Sequence, residues 1–255
     1  MPDPDNPALY HGIRDKARDL FENTPYALVA DFGVPGFYET SQKLRGYENL
    51  ACDLLVNQPF VTALYDRLLE LQKRFFARYL GEVGKYVQVI GYADDLGMQD
   101  RPQMSADTYR QVIKPYHKAI FRFIHEQADV RILLHSCGAV FPLIEDLIDA
   151  GVDILNPVQV RAAGMDPRRL KDAFGNRLVF WGGIDVQHVL PRGTAGEISE
   201  AVRQVTDALA PGGGFVLAPA HNIQEDTPAQ NVVGMWEAFR RHRVRGVAVR
   251  PSSGR

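Results

Sequence analysis

Cysteine is scarce in this chain of 255 residues: Cys52 and Cys137 are the only two. That is too few for a disulfide-stapled fold and suits free thiols or metal ligation in a reducing compartment. Long apolar runs are also missing, since none approaches the ~18 residues needed to cross a bilayer. There is no long basic run, and 29 Lys and Arg against 31 Asp and Glu leave a formal net charge of -2. Neither nucleic acid nor an anionic membrane surface is therefore an expected partner. The opening Met1-Pro2-Asp3-Pro4-Asp5-Asn6 has neither the basic nor the apolar part of a signal peptide, so a cytoplasmic protein is expected. What remains is 45% hydrophobic and 24% charged residues, enough for one sizeable core and consistent with a single domain over 1–255.

Short apolar runs alternate with longer amphipathic stretches, the pattern of repeated βα units. Strands are expected over 26–32, 86–92, 131–137, 153–157, 178–181 and 214–218. Helices are expected over 59–79, 105–126 and 194–210. Pro115 should end or kink the second of these. Pro211-Gly212-Gly213-Gly214 is a strong turn signal that stops the third. The basic, Gly/Ser-containing tail over 245–255 is expected to be disordered. Cys52, among Leu50, Leu54 and Leu55, is expected to pack in a helix.

This alternation implies a parallel sheet, either a (β/α)8 barrel or a doubly wound sheet. No G-x-G-x-x-G follows any strand, which argues against a dinucleotide site. Chemistry-bearing residues gather at the ends of several strands, as barrel active sites do: Asp94 and Asp95, His135 and Cys137, Asn156, Asp185, and His221 with Asn222. A (β/α)8 TIM-barrel type is expected. Two of its strands are not visible, so the barrel is expected to be incomplete.

The densest signal is Arg131-Ile132-Leu133-Leu134-His135-Ser136-Cys137-Gly138. Side chains at i and i+2 of a strand share a face, so the His135 imidazole and the Cys137 sulfur would converge. The glycine ends the strand and helical spacing follows from Ala139, which would put Cys137 near a helix N-terminus that favours a thiolate. The alternative is a core cysteine beside a hydrogen-bonded histidine. Asp94 and Asp95 are candidates for a fourth metal ligand or a general base, or else for a helix or loop cap. Being adjacent in a strand, at most one of them faces the site. Asp185 completes the catalytic candidates. Gln99, Asn156, Gln159 and Asn222 are candidates for binding a polar substrate. His117 and His125 are expected to be surface or satisfied core residues.

The ordered motifs His135-Ser136-Cys137-Gly138, Gly151-Val152-Asp153-Ile154-Leu155-Asn156-Pro157-Val158-Gln159, Trp181-Gly182-Gly183-Ile184-Asp185, Ala220-His221-Asn222-Ile223-Gln224 and Thr227-Pro228-Ala229-Gln230-Asn231 resemble the uroporphyrinogen decarboxylase superfamily. The similarity runs from about Tyr10 to His242. It implies a (β/α)8 barrel with its site at the C-terminal mouth. It also implies an N-terminal portion short by roughly a hundred residues, more than two βα units of ~30 residues each.

Within that superfamily, true uroporphyrinogen decarboxylases are metal-free and hold a tetrapyrrole through N-terminal arginines and an aspartate. That arginine motif is absent here, and they do not carry His-x-Cys. The cobamide-dependent methyltransferases do carry it, with a later cysteine, to hold a zinc that activates a thiol. In this chain His221 stands where that cysteine would be. The resemblance therefore implies metal ligands His135, Cys137 and His221, one charge unit more positive than His/Cys/Cys, with zinc and an open fourth position. It further implies a methylcobalamin-type corrinoid on a partner protein over the mouth, and a small-molecule thiol or related acceptor. A metal-free decarboxylase and a non-catalytic assembly module are the alternative readings. Too few strands to close a barrel predict a homodimer or partner on the edge near Tyr26.

Overall fold

A computed structural model describes residues 3–242, the side chains of Phe32 and Val34 excepted. The tail over 245–255 lies outside the described residues. The chain divides into two compact units between Asn156 and Pro157.

The first unit runs α1 (Ile13–Asn23), β1 (Val29–Pro35), α2 (Phe37–Arg45), α3 (Tyr47–Val56), α4 (Gln58–Val83), β2 (Val89–Ala93), α5 (Ala106–Thr108), α6 (Lys114–Gln127), β3 (Arg131–His135), α7 (Ile144–Ala150) and β4 (Ile154–Val158), whose first three residues close the unit. Strands β1 to β4 pair in parallel, each with its successor in sequence. The register sets Ala93 beside His135 and His135 beside Asn156, so strand ends that carry polar groups are neighbours.

Helix α4 buries Val61, Tyr65, Leu68, Gln72, Phe75, Phe76, Tyr79 and Val83, a stripe at three- and four-residue spacing that faces the core. Its one amide, Gln72, accepts the Tyr92 hydroxyl at 3.0 Å. Pro115 acts as expected. It sits in the first turn of α6, and the preceding Tyr109–Ile113 is wound as a π turn, which makes room for a ring that would clash with the carbonyl four residues back.

The second unit holds β5 (Val179–Ile184) and β6 (Phe215–Pro219), a parallel pair in register from Phe180 beside Phe215 to Ile184 beside Pro219. Around them lie α8 (Pro167–Phe174), α9 (Val189–Arg192), α10 (Ala195–Leu209) and α11 (Ala229–His242). Thr194 and Glu197 form a reciprocal capping box at the start of α10. The turn before β6 needs its glycines: Gly212, Gly213 and Gly214 all have positive φ, 75°, 85° and 72°.

The fold is thus α/β of the (β/α)8 type, with six strands among the described residues where a closed barrel has eight. No described helix is long and apolar enough to cross a membrane.

Two expectations are corrected. Cys52 lies in α3 but is exposed, because α3 buries Leu50, Asp53 and Leu54. Asp53 takes the inward position through a 2.7 Å ion pair with Arg45, turning Cys52 and Leu55 outward. The helix expected directly after Gly138 starts later, with a 3-10 turn at Phe141–Leu143 ahead of α7. Cys137 therefore does not cap a helix N-terminus.

Candidate metal centre

His135 is the last residue of β3 and Cys137 lies two positions beyond it, so both side chains leave the chain on one side. His135 Nε2 and Cys137 Sγ are 3.5 Å apart. On the other side of the ring, Nδ1 lies 2.7 Å from Asn156 Oδ1. An amide oxygen only accepts, so Nδ1 donates to it, and Nε2 is the ring nitrogen on the sulfur side.

Cys137 is clamped from the backbone. Its N–H donates to Asp95 Oδ1 at 2.8 Å. Ser136, fully buried, donates its N–H to the Asn156 carbonyl at 2.6 Å, and its Oγ accepts from the Leu96 N–H at 3.0 Å. The loop after β2 closes on this turn because two glycines permit it. A Cβ on Gly97 would come 2.4 Å from the Cys137 carbonyl oxygen, and one on Gly138, whose φ is +85°, 2.4 Å from that of Met98. Gly97 and Ser136 escaped sequence reasoning because their contacts join segments some forty residues apart.

The thiol is not activated by its surroundings. Burial pushes Cys137 up to about 12, and the negative charge and hydrogen bonding of Asp95, with the charge of Glu39, push the same way. The expectation of a thiolate-favouring helix end is thereby corrected: no helix begins at Cys137, and its neighbours are carboxylates. Such a thiol ionises when a cation replaces its proton, which is the chemistry of a metal ligand. Glu39, in the first turn of α2, is a third residue that sequence reasoning missed.

Asp94 and Asp95, just past the end of β2, bond to different segments. Asp95 lies beside Cys137. Asp94 is fully buried and turned toward α2: it accepts from the Tyr38 N–H at 3.1 Å, the Glu39 N–H at 2.8 Å and His117 Nε2 at 2.9 Å. His117 in turn meets the Tyr109 hydroxyl through Nδ1 at 3.0 Å, so it is a satisfied core histidine. His125 is instead near the surface, 3.3 Å from Asp153. Gln99 is exposed on the loop after β2.

In the second unit, His221 and Asn222 are exposed directly after β6. Gln159 is half-buried, and its Nε2 lies 3.5 Å from the Ala220 carbonyl. Asp185, at the end of β5, is buried. Its Oδ1 accepts from the Gln187 and His188 N–H groups at 2.7 and 3.3 Å, which shapes the turn that follows.

A methyltransferase from Methanosarcina mazei is similar in structure, with a TM-score of 0.71 at 21% identity over 92% of this chain and 64% of that one. The chain thus spans less than two thirds of that protein's length. A glycoside hydrolase family 5 enzyme from Prevotella bryantii B14 gives a TM-score of 0.45 at 12% identity, over 89% of this chain and 86% of that one. No curated protein matches the sequence. The uroporphyrinogen decarboxylase (URO-D) family matches residues 42–242, and with that span covering most of the chain, the protein belongs to the URO-D family.

Proposed function

We propose that this protein is a zinc-dependent methyltransferase, moving a methyl group between a corrinoid carried on a partner protein and a small thiol or related acceptor. The observation that carries this reading is the convergence of His135 Nε2 and Cys137 Sγ, with the imidazole held by Asn156 in the tautomer that a metal ligand needs. The donor set fits a borderline cation: one imidazole nitrogen and one sulfur, both half-buried.

His221 is proposed as the third ligand from its place in the family motif order. Zinc held by these residues would supply a Lewis acid that lowers the pKa of an acceptor thiol. The chain's own groups do the rest. Asn156 orients His135. Asp95 fixes the Cys137 backbone and is the carboxylate placed to accept a proton beside it. Gln99, Gln159 and Asn222 are proposed to hold the polar part of the acceptor. The roles proposed for Asp94 and Asp185 are positional, since both serve the backbone turns described above. Exposure of Tyr26 and of Val29 in β1 supports the proposed homodimer along that edge.

Cys137→Ser keeps the volume and removes the soft ligand, so the variant should stay folded while losing bound zinc and at least ~100-fold of thiol-dependent methyl transfer from methylcobalamin. The metal-free alternative makes the opposite forecast. Porphyrinogen decarboxylation by wild type and variant alike, with no corrinoid-dependent activity, would overturn the proposal.

A further inference from the structure

The second unit contains a cavity of about 430 Å³ whose lining includes none of the proposed metal ligands. That volume lies in the range of small-molecule pockets, ~300–1,000 Å³. Small residues open it: Gly183 on β5 and Ala201 and Ala208 on α10 contribute walls without bulk. At Gly183 a Cβ would come 2.6 Å from Val205 Cγ1, so the absence of a side chain here keeps β5 and α10 at their spacing.

Charge in the lining is organised. Asp207 is taken up by Arg203 at 2.8 Å, and Asp166 by capping α8 through the Arg169 N–H at 2.8 Å. Arg161 and Arg168 also line the cavity. Arg161 stands against the deepest acid, with its Nε 3.7 Å from Asp185 Oδ2. Asp185 is 7% exposed, and this oxygen has no hydrogen-bond partner. Its other neighbour, the imidazole Nδ1 of His188, stops at 3.6 Å. Buried carboxylate oxygens are nearly always hydrogen-bonded. Here the oxygen instead faces the Arg161 guanidinium and the His188 imidazole, each just beyond bonding distance, a counter-charge that fixes the guanidinium from its Nε side.

We propose that this cavity binds a small organic anion, a carboxylate or phosphate on a partly apolar body, gripped by Arg161 and Arg168, with Asp185 as the positioning residue for Arg161. The apolar share of the wall, from Val160, Val189 and Val205, receives the body of the ligand.

Calorimetric titration of the full chain with benzoate, phenyl phosphate and benzyl alcohol tests this. Saturable binding of one or both anions, at least tenfold tighter than the alcohol, is expected, and the preferred anion names the head group. Arg161→Ala should weaken that binding at least tenfold, and Ala201→Leu, which fills the space and leaves the charges, should abolish it. Asp185→Asn separates positioning from plain electrostatics. Removing a negative charge would by itself tighten anion binding, whereas loss of the guanidinium's anchor weakens it, and weakening is the expected result. Thermal melting confirms that each variant is folded, and Arg161→Gln stands in if Asp185→Asn is not. Equal affinity for the alcohol, unchanged binding in Ala201→Leu, tightening in Asp185→Asn, or no saturable binding by wild type would each overturn the proposal.

Discussion

Asp94 and His117, 23 residues apart in sequence, meet at 2.9 Å with neither side chain exposed. The carboxylate also receives two N–H groups from the first turn of α2, so one side chain at the end of β2 ties a helix start to a second helix. Gly36 completes the fit: a Cβ there would fall 2.3 Å from Asp94 Cγ.

Removing that carboxylate should be costly. Asp94→Ala leaves the His117 donor and two helix-end N–H groups buried without partners, a loss of about 3–5 kcal/mol by analogy with broken buried pairs. Urea denaturation measures it. A change within ~0.5 kcal/mol, the size of a surface substitution, would show that the bonds to Asp94 carry no stability.

The His135–Asn156 bond makes a forecast about affinity. Asn156→Leu keeps the volume and removes the acceptor that orients the ring, so zinc affinity should fall ~10–100-fold while the fold persists. Competition against a chromophoric chelator reads this directly. Unchanged affinity would mean that Asn156 does not position the imidazole.

Alkaline stability follows from the buried phenols. Burial raises Tyr38 and Tyr116 to about 12 and pushes Tyr65, Tyr92 and Tyr109 higher still, with the charge of Asp94 adding to the rise at those last three. Above pH ~10 the unfolded chain releases these protons while the folded one keeps them, so the folded state binds more protons and stability falls as pH rises. The urea midpoint should therefore drop steadily from about pH 9.5 upward, with the phenolate absorbance of these five tyrosines appearing only as the chain unfolds. A flat midpoint through pH ~11 would contradict the burial of these hydroxyls.

Much of this architecture was legible in the sequence because its signals are local. Apolar runs ending in polar residues located all six strands, and two-residue spacing alone put His135 and Cys137 on one face. Asp53 concealed the phase of α3, since an acid was not expected on the buried side, and its partner Arg45 lies in another helix. The Cys137 environment was misjudged for a related reason. Helical spacing after Gly138 implied an immediate helix, yet Ala139 bonds instead to the Met98 carbonyl at 2.7 Å, a contact across the loop after β2. The cap role of Asp94 was weighed from sequence, but its partners Tyr38, Glu39 and His117 arrive from distant segments that no local pattern announces.

His135, Cys137 and His221 are the proposed zinc ligands. Zinc X-ray absorption on the purified, zinc-loaded chain tests this assignment most directly. About one zinc per chain is expected, with one sulfur at ~2.3 Å and two imidazole nitrogens at ~2.0–2.1 Å, the sulfur shell vanishing in Cys137→Ser. Zinc that does not stay bound, or a first shell without sulfur in the wild type, would contradict it.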